Sequence, residues 1–331
     1  MSATARKLLT GCVLAAAIAV GACGGGAPRQ RITVTVAPAP APTVSTQMPT
    51  TTAVPAPKPT PKPPPPPAYP QLVSASLGTA PVPLAPAVRW NGQVAAWTER
   101  SPAGFALMEF DQRLIGLHLH SGTIDAGTLG WRYGPAVEPS ELRHLVAAFN
   151  GGFRLSTGAG GFVSYGRAAA PLQAGLASIV TYADGSTDIG SWGREVPAPG
   201  KRVVAVRQNL SLLIDHGVPA ANVGCVSCWG ATLGGVVDPA RSALGITGNG
   251  RLVWVGGDHL TPSQLAGALT AAHAVRAAEL DINPEWVAGY FYGHRGGRGP
   301  VAPVPALPSQ NGIPGQFLAP WSRDFFTIVA R

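Results

Sequence analysis

The residues best suited to chemistry in this 331-residue chain lie in the run Ala278-Glu279-Leu280-Asp281-Ile282-Asn283-Pro284-Glu285-Trp286. Alternate residues of a strand share a face. Read as a strand, the run projects Glu279, Asp281 and Asn283 together, with Leu280 and Ile282 opposite. Carboxylates about 6.5–7 Å apart on one strand face repel each other, so one of them tends to hold its proton. Burying such a pair for structure alone is costly, which favours a functional role over a salt-bridged structural pair. Two further places carry polar residues among apolar ones. In Phe149-Asn150-Gly151-Gly152-Phe153, the glycines let the backbone approach a ligand and leave amide donors unshielded, or else they make a tight turn. In Arg241-Ser242-Ala243-Leu244-Gly245, an arginine opens a strand beside Asp238 and Pro239; by itself it reads as a surface residue.

These places, in this order, resemble the phosphodiester glycosidase family. That family's Asn-Gly-Gly-Phe stretch is matched at Asn150 to Phe153, and its Gln-Asn-Leu segment with a short acidic turn at Gln208-Asn209-Leu210 and Asp215-His216-Gly217. Its Arg-Ser/Thr-Ala-x-Gly stretch and hairpin are matched from Arg241, and its helix and Leu-Asp strand end at Leu280-Asp281. The resemblance spans about residues 85 to 331, and the order and spacing of the motifs carry it. It implies hydrolysis of a sugar-1-phosphodiester at the anomeric carbon, on a carbohydrate or phosphoglycan substrate and with no cofactor. Asp281 would face the anomeric carbon or activate water, and Glu279 would share or tune that role. Arg241 would clamp the phosphate with the Gly151 and Gly152 amides. Asn150 and Asn283 would bind sugar hydroxyls, and Gln208, Asn209 and Glu285 complete the expected substrate-binding set. The family continues Leu-Asp with Gly-Gly, where this chain has Ile282-Asn283-Pro284-Glu285. Either the pocket is reshaped for another glycan, or the chemistry is altered or lost. The second function is therefore a non-catalytic glycan-binding or cell-wall scaffolding protein.

No metal site is expected. His118 and His120 share a strand face but have no third ligand nearby, so they read as a solvated face, and no metal- or phosphate-binding motif is present. Trp286, Tyr290 and Tyr292 either stack on sugar rings or belong to the core. The spacing Cys225-Val226-Ser227-Cys228, in an exported protein and amid glycines, reads as a local disulfide.

The elements that position these residues belong to the C-terminal part of the chain. Residues 1–22 carry Arg6 and Lys7, then an apolar run from Leu8 to Val20, as in a signal peptide. Val20-Gly21-Ala22-Cys23 resembles the lipobox of bacterial lipoproteins, which implies diacylation of Cys23; the alternative is an ordinary secretory signal. Two acyl chains suffice for stable anchoring. Cys23 with the proline-rich tract to residue 70 forms a tether, extended on the order of 130 Å in polyproline II. The expected location is extracytoplasmic, lipid-anchored at the outer face of the cell membrane, with the domain in the cell wall or periplasmic space and no other membrane contact.

All 16 acidic residues lie after residue 70, against 18 of the 24 Lys and Arg, so the folded part has an excess of only two positive charges. That gives no nucleic-acid footprint, which needs a clustered basic face. Residues 71–331 are expected to form a single large α+β domain, a strand-rich mixed sheet with a few packed helices. Val94 to Thr98, Phe105 to Phe110 and Leu114 to His120 read as strands, and Gly248-Asn249-Gly250 as a hairpin turn. Helices are expected over Ser140 to Leu145 and from Thr261, where Pro262 and Gln264 complete a capping box and Leu265, Ala268, Leu269, Ala272 and Val275 form one apolar face.

Overall fold

Short apolar runs broken by glycine turns become strands along most of the chain. The computed structural model describes residues 68–128 and 130–331; the expected signal, the Cys23 anchor and all but the end of the proline tract lie outside the described residues. Fourteen strands join in one long mixed sheet. Its path runs through Val218–Pro219, Leu212–Asp215, Ala274–Glu279, Arg241–Thr247, Leu252–Gly257, Phe105–Phe110, Gln93–Arg100 and Val82–Trp90. From there it continues through Gln71–Leu72, Gly289–Arg295, Leu145–Asn150, Phe325–Ala330 and Ile115–His120, with Ala302–Pro305 added beside Gly289–Arg295. A second, antiparallel sheet orders Thr187–Ser191, Ala177–Tyr182, Val203–Gln208, Phe162–Ser164 and Arg167–Ala170.

The expected α+β architecture is overturned. Among the described residues only Ser74–Leu77 and Pro262–Ala271 are α-helical, and the fold is mostly β. The helix expected over Ser140 to Leu145 is a run of turns that passes directly into the strand Leu145–Asn150. One turn's length gives too few hydrogen bonds to offset helix nucleation. The Glu141 side chain instead ties the turn to His118 and Thr327. The second helix forms with its capping box: Thr261 Oγ1 accepts from Gln264 N at 3.3 Å, and Gln264 Oε1 accepts from Thr261 N at 2.9 Å. It stops earlier than the apolar spacing suggested. His273 takes a positive φ of 60°, and Val275 falls in the strand that follows. The hairpin at Gly248-Asn249-Gly250 joins Arg241–Thr247 to Leu252–Gly257.

The long sheet curls until distant members of its path meet. Phe149 packs its ring 6.3 Å from Phe110, 6.1 Å from Trp254 and 5.7 Å from Phe326, centroid to centroid. Gly256 and Gly289 flank Trp254 so closely that a Cβ on either would lie within 2.2 and 2.9 Å of its ring. Burial of each such ring stabilises the fold by roughly 1.5–3 kcal/mol. The second sheet closes over this core by strand alternation: Ile179 faces it, while Val180 and Tyr182 point to a separate cluster with Val196 and Val206. At one rim the curl becomes direct bonding. Asp281 N donates to Gly151 O at 2.8 Å, and Asn150 N to Ala288 O at 3.0 Å. That rim collects the ends of Leu145–Asn150, Val203–Gln208 and Ala274–Glu279 and the starts of Arg241–Thr247 and Phe325–Ala330.

Candidate active site

Four strand ends deliver six charged side chains to this rim, and the loop after Ile115–His120 brings a seventh, Asp125. Arg207 pairs with Asp324 (Nε to Oδ2 2.8 Å, Nη2 to Oδ1 3.2 Å), and Arg241 with Glu279 (Nη1 to Oε1 2.7 Å). Arg323 lies between Asp281, at 2.8 Å from Nη2 to Oδ2, and Asp125, which contacts its Nε. All seven are buried. Three guanidiniums thus face four carboxyls, an excess that a low-dielectric site relieves by retaining a proton. Burial pushes the Glu279 carboxyl up to about 8, against the pull of Arg241 and with a further rise from Asp281. Burial likewise pushes Asp281 up to about 7, against the pull of Arg323.

Of the three residues expected to be catalytic, the structure brings only Asp281 to an open cleft. This cleft, of about 620 Å³, is lined by Asp281, Asn283, Arg154, Trp286 and Arg323, together with Gly158, Leu210 and the loop residues Ser227, Cys228, Gly230, Ala231 and Leu233. Asp281 Oδ1 accepts from Ile282 N at 3.0 Å. Its Oδ2 makes the ionic contact with Arg323 but has no aligned hydrogen-bond donor. Arg241 and Glu279 are wholly buried and line no part of the cleft. Arg241 donates to Leu260 O and Trp229 O at 2.9 and 2.7 Å, so it anchors the loop that walls the cleft. The expected common strand face of Glu279, Asp281 and Asn283 does not form, because the strand ends at Glu279. Asn283 takes a positive φ of 79°, which asparagine tolerates better than most residues.

The anion cradle expected at Gly151 and Gly152 also has a different occupant. Gly151 N donates to Asp324 O at 3.0 Å, and Gly152 N to Asp324 Oδ2 at 3.2 Å. A Cβ at Gly151 would sit 2.1 Å from Asp324 Oδ2, and one at Gly152 2.7 Å from Arg207 Cζ. The two glycines admit the Arg207–Asp324 pair rather than a ligand. Asn150 is likewise held internally by Ser242, Gly151 O and Ala288 N. Gln208 Oε1 accepts from Gly161 N and Gln173 N, and its Nε2 donates to Gln173 O and Ser178 Oγ. Asn209 accepts from Phe153 N and donates to Glu279 O. Asn283 borders the cleft while its Oδ1 accepts from Leu233 N at 3.1 Å. Glu285 is exposed and faces a neighbouring depression of about 410 Å³ instead.

Arg323, Asp125, Arg154 and Arg207 were not foreseen. Arg323 and Asp324 form a charged dipeptide just before the strand Phe325–Ala330, which is apolar except for Thr327, a signal legible in the sequence. Arg154 is exposed and stacks over Trp286 at 5.7 Å, with Arg323 over the same ring at 4.9 Å. Trp286 thus orients two cations, while Tyr290 and Tyr292 are core residues. The disulfide Cys225–Cys228 is present, Cα atoms 5.3 Å apart, in the wall of the cleft. Gly230 in that wall has φ 98°, and a Cβ there would meet Phe153 and Ile282 within 2.9 Å. His118 and His120 are not a solvated face. His118 Nδ1 lies 2.7 Å from Glu141 Oε1, and the buried His120 contacts Glu141 and Thr327.

Fold and site together define a mostly β domain with an acid–arginine cleft at the rim of a curled sheet. A scan against protein-family models finds no match, and neither does a search of the curated proteins. Among solved structures, the chain is similar to the zebrafish N-acetylglucosamine-1-phosphodiester α-N-acetylglucosaminidase catalytic domain auto-inhibited by its pro-peptide. That likeness has 16% identity over 71% of this chain and 78% of that one, with TM-score 0.42. A hypothetical protein from Synechocystis is 14% identical over 73% of this chain and 63% of its own, with TM-score 0.40. An exported protein from Burkholderia pseudomallei is 13% identical over 77% and 76%, with TM-score 0.32. These are distant likenesses of fold. Among the described residues no helix is long and apolar enough to cross a membrane.

Proposed function

We propose that this chain is an exported hydrolase that cleaves the glycosidic C–O bond of a sugar-1-phosphodiester in an envelope or extracellular glycan, held at the membrane by a lipid on Cys23 and carrying its catalytic domain over about residues 71–331. The observation that carries the reading is Asp281, a buried carboxyl lining a cleft, whose Oδ2 meets Arg323 but has no aligned hydrogen-bond donor, with Arg154 as the remaining charged group of the cleft. Such a cleft suits a phosphate group beside a carbon that gains positive charge. Arg323 and Arg154 take the phosphate oxygens. Asp281 accepts a proton from the attacking water as its oxygen bonds to the anomeric carbon. The C1–O bond breaks with its electron pair going to the phosphate monoester, and the proton passes to solvent. The leaving group is a weak base and needs little acid help, so a single cleft carboxyl suffices. Glu279 and Arg241 act from beneath by fixing the turn that bears Asp281. This moves the phosphate clamp from Arg241 to Arg323 and Arg154.

The test incubates the full chain, and Asp281→Asn, with a panel of sugar-1-phosphodiesters and cell-wall phosphoglycans. Release of free sugar and phosphomonoester by the parent, reduced at least a hundredfold in the variant, is the expected result. Binding without turnover in both proteins would replace the hydrolase with a glycan-binding protein. The Asp281–Arg323 contact across the cleft floor favours that second reading, because it gives the carboxylate an internal partner.

A further inference from the structure

The Asp281 cleft does not end at Trp286. A second cavity, of about 880 Å³, adjoins it and shares Arg154, Trp286 and Arg323 as a common wall. Its far side holds Trp131 and Arg167. Arg167 stacks over Trp131 at 5.6 Å and packs against the backbone of Gly130, where a Cβ would stand 2.6 Å from its Nη1. Trp131 is itself fixed, by a 2.9 Å hydrogen bond from Nε1 to Ala126 O and an edge contact with Phe162. Each exposed guanidinium is therefore held over an indole rather than free in solvent.

The charges of this cavity do not cancel. Its one carboxylate, Asp125, contacts Arg323. Arg154 and Arg167 make no ion pair among the described residues, which leaves two oriented guanidiniums facing the space. Planar, stacked guanidiniums with free donors match phosphate oxygens in geometry and charge. A substrate with one phosphate at Asp281 would use Arg323 and Arg154 and leave Arg167 idle.

The geometry points to the second cavity as a subsite for the next phosphate of a polymeric substrate, so that the protein acts on chains of phosphodiester-linked sugars rather than on a lone sugar-1-phosphodiester. This rests on the cleft assignment above, since the second cavity extends from Asp281. Arg167 and Trp131 are specificity residues, and Arg154 spans both phosphates.

Binding is measured by calorimetry on full-length Asp281→Asn with three probes: a glycosyl phosphodiester bearing one phosphate, a three-repeat chain of the same sugar joined by phosphodiesters, and the uncharged trisaccharide. The three-repeat chain is expected to bind at least tenfold more tightly than the single unit, with an affinity that falls steeply with salt. Adding Arg167→Gln removes about tenfold of that advantage, and Arg167→Lys restores part of it. Equal affinity for one and three repeats, an unchanged ratio in Arg167→Gln, or equal binding of the uncharged trisaccharide would each overturn the subsite. Failure of the parent protein to hydrolyse any probe would sink the hydrolase reading alone, because the binding ratio decides the subsite without turnover.

Discussion

Gly151→Ala isolates the role of the double glycine. The added methyl would stand 2.1 Å from Asp324 Oδ2 and 2.6 Å from both its Cγ and carbonyl oxygen. Asp324 has no solvent-exposed alternative, since its side chain is wholly buried, and it must move off Arg207, whose side chain is 1% exposed. Breaking a buried pair while leaving one charge behind costs about 3–5 kcal/mol. The alanine restricts the unfolded chain and recovers about 0.4–1 kcal/mol of this. The expected net loss is about 2–4.6 kcal/mol, read from the shift of a denaturant midpoint followed by tryptophan fluorescence. A loss below about 1 kcal/mol with weakened glycan binding would refute the reasoning. It would restore the amides of Gly151 and Gly152 to a ligand.

Two predictions concern pH, with opposite signs. Burial raises Asp281 to about 7 and Glu279 to about 8, so their contribution to stability is complete below the ordinary carboxylate range and is lost as pH rises through 7 to 8. Asp281→Asn should therefore flatten the fall in Tm between pH 5 and 8, a difference on the order of a few kcal/mol at pH 8; an unchanged slope would show that Asp281 ionises freely. Burial alone would raise Glu141, but hydrogen bonds from His118 and His120 outweigh it and hold its carboxyl well below the usual range. Its contribution is present above the ordinary Glu pKa and lost as pH falls below it. Glu141→Gln should destabilise the protein at pH 7 by about 1–3 kcal/mol and weaken its acid sensitivity, both measurable by calorimetry across pH 3 to 7. No change at pH 7 would mean that the contacts with His118, His120 and Thr327 add nothing.

The parts of the fold legible in the sequence were those specified locally. The Thr261 helix announced itself through a capping box, and the Gly248-Asn249-Gly250 hairpin through its turn residues. The fold class was misread because Ser140 to Leu145 carried a helical start without enough length, and because the sheet's fourteen strands are short runs that no period ties together. Asp281 stood out as a carboxylate following an apolar strand. Arg323 left a local trace, as half of a charged pair ahead of the strand Phe325–Ala330, but its meeting with Asp125 and Arg154, 198 and 169 residues earlier, did not, because the curled sheet makes it and no local pattern encodes that closure. Gly151 and Gly152 were legible as a place of close approach, but what approaches is Asp324, 173 and 172 residues on.

The two-residue strand Gln71–Leu72 has a mechanical consequence. It pairs in parallel with His294 and Arg295 and antiparallel with Val88 and Arg89, so it stitches the two stretches of the long sheet together at the point where the described chain begins. Pro70 adds its carbonyl, which accepts from His294 N at 2.7 Å. Any pull carried by the preceding residues enters the fold at this seam. It loads Gly289–Arg295, the strand that follows directly on the turn bearing Asp281 and Trp286, together with Val82–Trp90 on its other side. Tension on the chain and geometry at the cleft are thus linked through one short strand.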